Sequence, residues 1–169
     1  MNTTFIIISL VLVASVFLPF FLIDRSGKSG TQLIKKESKK EILERKLQVT
    51  EREIWGNSFI GVAPDQKKLL FIKFNEPGKT VSEIALETVR SCEIESVIGT
   101  LKSGNKREKV LERLDLKLTL YNRPQEVIAF NFYDSDGIFK EDFELARAEK
   151  WKRTIDQLKQ AQSQMDRVA

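Results

Sequence analysis

Nineteen consecutive residues without a charged side chain, Phe5 to Ile23, constrain this chain more than any other feature. At ~1.5 Å of rise per helical residue such a run spans about 28 Å, close to a bilayer hydrocarbon core of ~30 Å. It reads as a single transmembrane helix. A cleaved signal peptide needs a positive n-region and a small-x-small cleavage site. Here Met1-Asn-Thr-Thr4 carries no Lys or Arg, and Phe20-Phe-Leu-Ile23 is bulky where cleavage would fall.

The flanking charge predicts the orientation of that span. Arg25, Lys28, Lys35, Lys36, Lys39 and Lys40 follow it, against Asp24 and Glu37, while the N-terminal flank has no basic side chain. The positive-inside rule then places the N-terminus outside and the remainder in the cytoplasm, on a bacterial inner (plasma) membrane. The same six basic residues are candidates for contact with the anionic membrane surface. Gly27-Lys28-Ser29 imitates the end of a phosphate loop, but the glycine required five positions earlier is Leu22.

Composition narrows the function classes. The formal charge is +4, yet Gly56 to Ala169 holds nineteen basic and eighteen acidic residues, a net of 19 − 18 = +1. The excess sits beside the apolar run, so the domain offers no concentrated basic field for nucleic acid. The chain has no histidine, which removes imidazole acid–base chemistry, His-based metal sites and imidazole triads. Its single cysteine, Cys92, excludes an intramolecular disulfide and shares a strand face with Ile94, which predicts burial. No catalytic, cofactor-binding or metal-ligating set emerges. Asp134-Ser-Asp136-Gly137 begins like a calcium loop, but Ile138, Phe139 and Leu145 stand where a ligand, a glycine and a glutamate are needed. Glu83/Glu87 and Glu93/Glu95 are same-sign pairs without a neighbouring nucleophile, and they read as exposed carboxylates.

Three segments result: an anchor over 1–24, a linker and charged helical stalk over 25–55, and a domain over 56–169. Leu33 to Ile54 lacks Gly and Pro, and Leu43, Leu47 and Ile54 form one narrow apolar stripe. That stripe leaves room for oligomerisation through the stalk, though it falls short of the sustained heptads of a coiled coil. After Gly56 the period shifts toward two. Strands are expected at Ser58–Ala63, Lys68–Phe74, Thr80–Ile84, Val89–Val97, Leu114–Leu120 and Glu126–Tyr133. A polar loop runs from Gly99 to Arg107, and the basic stretch from Lys102 to Lys109 that overlaps it offers Lys102, Lys106, Arg107 and Lys109 as candidates for contact with a partner or a phosphate headgroup. Phe71, Phe74, Phe130 and Phe132 should fill the core. A last amphipathic helix from about Lys140 to Met165 should cover the sheet with Trp151 and Leu158.

A strand meander, a longer loop, further antiparallel strands and a closing helix with Ala148-Glu-Lys-Trp-Lys-Arg-Thr-Ile155 resembles the pleckstrin-homology-like roll carried by small membrane-anchored bacterial proteins. The resemblance covers Ser58 to Gln162 and implies an α+β fold: a transmembrane helix, a stalk, then an antiparallel β roll capped by the C-terminal helix. Six strands stand where that roll has seven. The first hairpin offers Lys67, Lys68 and Lys73 without the spaced basic pattern of phosphoinositide binders. The expected role is a membrane-tethered, non-catalytic binding or scaffolding module with an unknown protein partner and no cofactor. An anionic-lipid or membrane-stress sensor and a membrane-bound enzyme are the competing classes.

Overall fold

A computed structural model describes residues 31–75, 78–103, 106–123, 125–136 and 143–168. A helix over 31–44 (α1) comes first. Two antiparallel sheets follow. The first contains β1 (Glu51–Trp55), β2 (Ser58–Ala63), β3 (Lys68–Asn75) and β4 (Gly78–Ala85), in that spatial order. The second contains β5 (Val89–Ser103), β6 (Lys106–Leu120) and β7 (Val127–Asp134), and a C-terminal helix, α2 (Glu144–Val168), closes the chain.

The membrane span expected over Phe5–Ile23 falls outside the described residues. Among the described residues no helix is long and apolar enough to cross a membrane. The membrane partner, the single-pass topology and the inner-membrane location rested on that span, and all three are corrected: the described chain is mostly antiparallel sheet with two helices.

The helical stalk is corrected as well. The helix stops at residue 44, ten residues short of expectation. Lys46 adopts φ 53, its N–H reaches the Leu43 carbonyl at 3.1 Å, and the Leu47 N–H reaches the Ile42 carbonyl at 3.0 Å. That pattern is a Schellman stop, with Leu47 folding onto the domain behind it. Lysine occupies the left-handed position that glycine normally marks. The next residues, Glu51 to Trp55, pair with β2 from Glu51↔Val62 to Trp55↔Ser58. They supply a seventh strand where six were expected.

Burial explains the layering. One core lies between the two sheets and α2: Ile60, Val62, Leu69 and Phe71 from the first sheet meet Leu114, Leu116, Leu118, Phe130 and Phe132 from the second. Alternation along β6 delivers those leucines to one face. From α2, Ala148, Trp151 and Ile155 fill this core at helical spacing, while Leu158 is partly buried against it and Leu145 is exposed. A second cluster lies on the opposite face of the first sheet: Phe59, Ala63, Leu70 and Ile72 under Ile34, Leu47 and partly buried Ile42. β2 and β3 are thus covered on both faces, which is why Ser58–Ala63 and Leu69–Ile72 are continuous buried runs rather than alternating ones.

The sheets are tied at one corner. Register slips between Leu114 and Asp115, leaving Phe132 outside the β6–β7 ladder. The Trp55 indole Nε1–H donates to the Phe132 carbonyl at 3.0 Å, and the Lys73 ammonium donates to the Asn131 carbonyl at 3.3 Å. The carbonyl of the bulged Phe132 and that of its neighbour Asn131 therefore accept side-chain donors from the first sheet.

Candidate functional site

The expected loop over Gly99–Arg107 is corrected to a hairpin arm. β5 and β6 pair on through Thr100↔Lys109, Lys102↔Arg107 and Ser103↔Lys106, whereas β7 accompanies β6 only from Arg113 to Thr119. The outer half of the hairpin thus stands beyond the three-stranded sheet. A bulge at Glu112 marks its base, since Val97 faces Arg113 and Ile98 faces Leu111. The Glu112 carbonyl, released from the ladder, accepts the Ser135 N–H at 2.8 Å. A Cβ at Gly99 would collide with the Glu112 side chain, so glycine lets that glutamate lie across the strand. Val97 and Ile98 are 44% and 59% exposed, and Arg107 and Lys109 are exposed on the partner strand. Lys102 and Lys106 sit on the two strands near the tip. The four candidate basic residues are brought together on one arm, with two branched apolar side chains at its base that the sequence reading missed.

Of the six residues assigned to a membrane surface, Arg25 and Lys28 lie outside the described residues. Lys35, Lys36, Lys39 and Lys40 are all exposed on α1. The helix has a polarised build. Glu37 and Glu41 turn toward Lys79 of β4, whose ammonium lies 3.0 Å from Glu37 and 2.6 Å from Glu41. Arg45 pairs with Glu41 and lies 3.2 Å from Glu83, which also accepts Lys68 at 2.5 Å. The Lys79 hydrogen bond holds both Glu37 and Glu41 below the usual carboxylate range, and the two glutamates raise Lys79 in return. Two of the helix's carboxylates are committed inward, and its lysines face out.

The remaining ionisable groups hold the fold together. Glu53 of β1 accepts Arg147 Nε at 2.8 Å, Trp151 Nε1 at 2.9 Å and Lys150 Nζ at 3.2 Å, fastening α2 to the first sheet. Arg147 also lies over the Trp55 ring, 5.2 Å from its centroid. Burial pushes the Glu53 carboxyl up, but the three donors together outweigh it and hold the group below 4.5. A carboxylate depressed in this way stabilises the native state fully above 4.5 and loses that contribution as pH falls through its native value. Urea midpoints measured at falling pH should therefore drop less steeply below pH 4.5 in Glu53→Gln than in the parent chain. Glu37 and Glu41 act equally in both proteins, so coincident slopes would show that Glu53 contributes nothing.

Asp115 of β6 is buried. Its carboxylate accepts Arg113 Nε at 2.7 Å and the Asn131 amide at 2.9 Å. Near it, burial lowers Lys73 while Asp134 and Asp115 partly restore it. Cys92 is buried, and desolvation pushes its thiol up to about 12, far from a reactive thiolate. Glu93 and Glu95 are exposed as expected, Glu95 paired with Lys117. The Asp134 carboxylate accepts the Asp136 N–H at 3.1 Å, a local turn, while Gly137 to Phe139 lie outside the described residues. Among the described residues no group of three or more acidic or thiol side chains could hold a metal ion.

In comparisons with family models, with curated proteins and with solved structures, nothing matches this chain.

Proposed function

We propose that this chain is a non-catalytic binding module, a pleckstrin-homology-like roll that holds a protein partner against its β5–β6 arm. Four strands, then three, then a capping helix support the fold side of that reading. The observation that carries the functional side is the arm. It extends past its own sheet, keeps Val97 and Ile98 exposed at its base on opposite faces of the strand, and carries Lys102, Lys106, Arg107 and Lys109 toward its tip, against the single acid Glu108 there. Two β-branched side chains at the base of a projecting two-stranded ribbon add nothing to the core. With a basic end above them, they suit a partner that brings an apolar contact and carboxylates together.

A photoreactive residue placed at Ile98 tests this reading in cells. A discrete protein adduct is expected from position 98, absent when the same residue stands at exposed Tyr121. It should be lost when Arg107 and Lys109 are both changed to glutamate. Equal, diffuse labelling from both positions would defeat the proposal. Loss of binding to anionic vesicles in the double variant, without a protein adduct in the parent, would favour the lipid-sensor reading instead. Turnover in a hydrolase screen would defeat both.

A further inference from the structure

We infer that the outward face of α1 is a second docking surface, and that its occupant is an acidic amphipathic helix of a protein partner. Leu33, Lys36, Lys40 and Leu43 follow one another at spacings of three, four and three. At about 100° per residue these positions fall within about 80° of arc, a single stripe about 15 Å long. All four are exposed, the two leucines at 61% and 66%. The helix meanwhile buries Ser38 and Glu41 against the first sheet. A helix that sinks a serine and a glutamate while leaving two leucines in water is not arranged for its own sheet alone.

The spacing is that of a helix–helix seam, with leucine at each end and lysine at the two central positions. The charge pattern selects the occupant. With Glu37 and Glu41 committed to Lys79 on the inner side, the outer side carries Lys35, Lys36, Lys39 and Lys40 against one exposed carboxylate, Glu44, 3.8 Å from Lys40, a solvent-exposed pair worth little that a partner's carboxylate can replace. A second copy of α1 would place lysine against lysine at the centre of the seam in either orientation, a like-charge contact that opposes self-pairing. Self-association through this segment, for which the sequence left room, is therefore disfavoured. A lipid surface needs a helix whose continuous apolar face sinks into the headgroup boundary. The apolar side of α1, Ile34 and Ile42, is already used on the first sheet, and two separate leucines are left. Carboxylates at the two central seam positions of a partner helix, with apolar residues at the ends, satisfy every element of the stripe. This inference stands on α1 and is independent of the arm, so each can fail without the other.

The probe is a synthetic helical peptide carrying leucine, glutamate, glutamate and leucine at the same spacing. A control peptide has lysine in place of glutamate. Fluorescence anisotropy with the full-length chain should show binding of the acidic peptide, weakened by salt. Changing Lys36 and Lys40 together to glutamate should weaken that binding by about tenfold or more and admit the lysine peptide. Leu33→Ala with Leu43→Ala, both at exposed positions, should weaken it with an unaltered Tm. Acidic-peptide affinity indifferent to both double variants would overturn the inference. So would co-sedimentation with vesicles of equal phosphatidylglycerol and phosphatidylcholine that the lysine reversal abolishes while peptide affinity stays constant. That second result would give the face to a lipid surface.

Discussion

Replacing Trp151 by alanine is expected to remove about 3–5 kcal/mol of stability, the range for emptying a buried aromatic site. Trp151 is fully buried between the two sheets, flanked along α2 by Ala148 and Ile155. It also acts at its edge: its Nε1–H reaches Glu53 at 2.9 Å, so one side chain fills the core and pins α2 to β1. Truncation opens a cavity that rigid sheets on two sides cannot collapse. Against a typical total of about 5–15 kcal/mol, the loss would leave a small domain marginal. Trp151→Phe separates the two roles. It keeps most of the volume and gives up the bond to Glu53, which Arg147 and Lys150 still hold, so a cost of about 1 kcal/mol is expected. The chain has two tryptophans, so Trp55 fluorescence can follow urea unfolding in both variants. A midpoint for Trp151→Ala that matches Trp151→Phe would show that packing at this site is not limiting.

What the sequence made legible follows from where one physical signal acted alone. The leucines at 114, 116, 118 and 120 alternate because one face of β6 meets the core, and all four are buried. Ala148, Trp151 and Ile155 repeat at helical spacing because α2 covers a sheet, and they were legible for the same reason. β1 was not legible. Glu51-Arg-Glu-Ile-Trp55 is a short, charged edge strand of good helix formers, and its pairing with β2 overrides local propensity. The stop before it was hidden because lysine, not glycine, takes the left-handed position at residue 46. Gly99 and the polar residues after it suggested a loop, where the strand in fact continues past a bulge. One available signal went unused. Leu69-Leu-Phe-Ile72 is apolar at four consecutive positions, so both faces of β3 need a cover, and α2 can cover only one. The second cover is α1, which lies on the first sheet through Ile34 and Ile42. Its outward face, with Leu33 and Leu43, is thereby a surface of the domain.

Ser38→Pro decides between a docked helix and a free stalk, with an expected loss of about 3 kcal/mol. Residue 38 lies in the interior of α1 and is buried against the sheet, its hydroxyl donating to the Lys35 carbonyl at 3.2 Å. Proline there removes the backbone bond to residue 34 and clashes with that turn. The consequence reaches beyond the helix. Ile34 and Ile42 would lose their hold on Phe59, Leu70 and Ile72, and an apolar sheet face would meet water. The ion pairs from Lys79 to Glu37 and to the buried Glu41 would be lost with it, which adds to the apolar loss. Ser38→Ala serves as the control, keeping the helix and removing only the hydroxyl. Urea unfolding should show the proline variant shifted by most of a helix's docking energy while the alanine variant stays near the parent. Dye binding to exposed apolar surface should rise in the proline variant before the cooperative transition. A free stalk would melt without consequence for the sheets, so an unchanged midpoint in Ser38→Pro would detach α1 from the fold and remove the platform on which its outward seam depends.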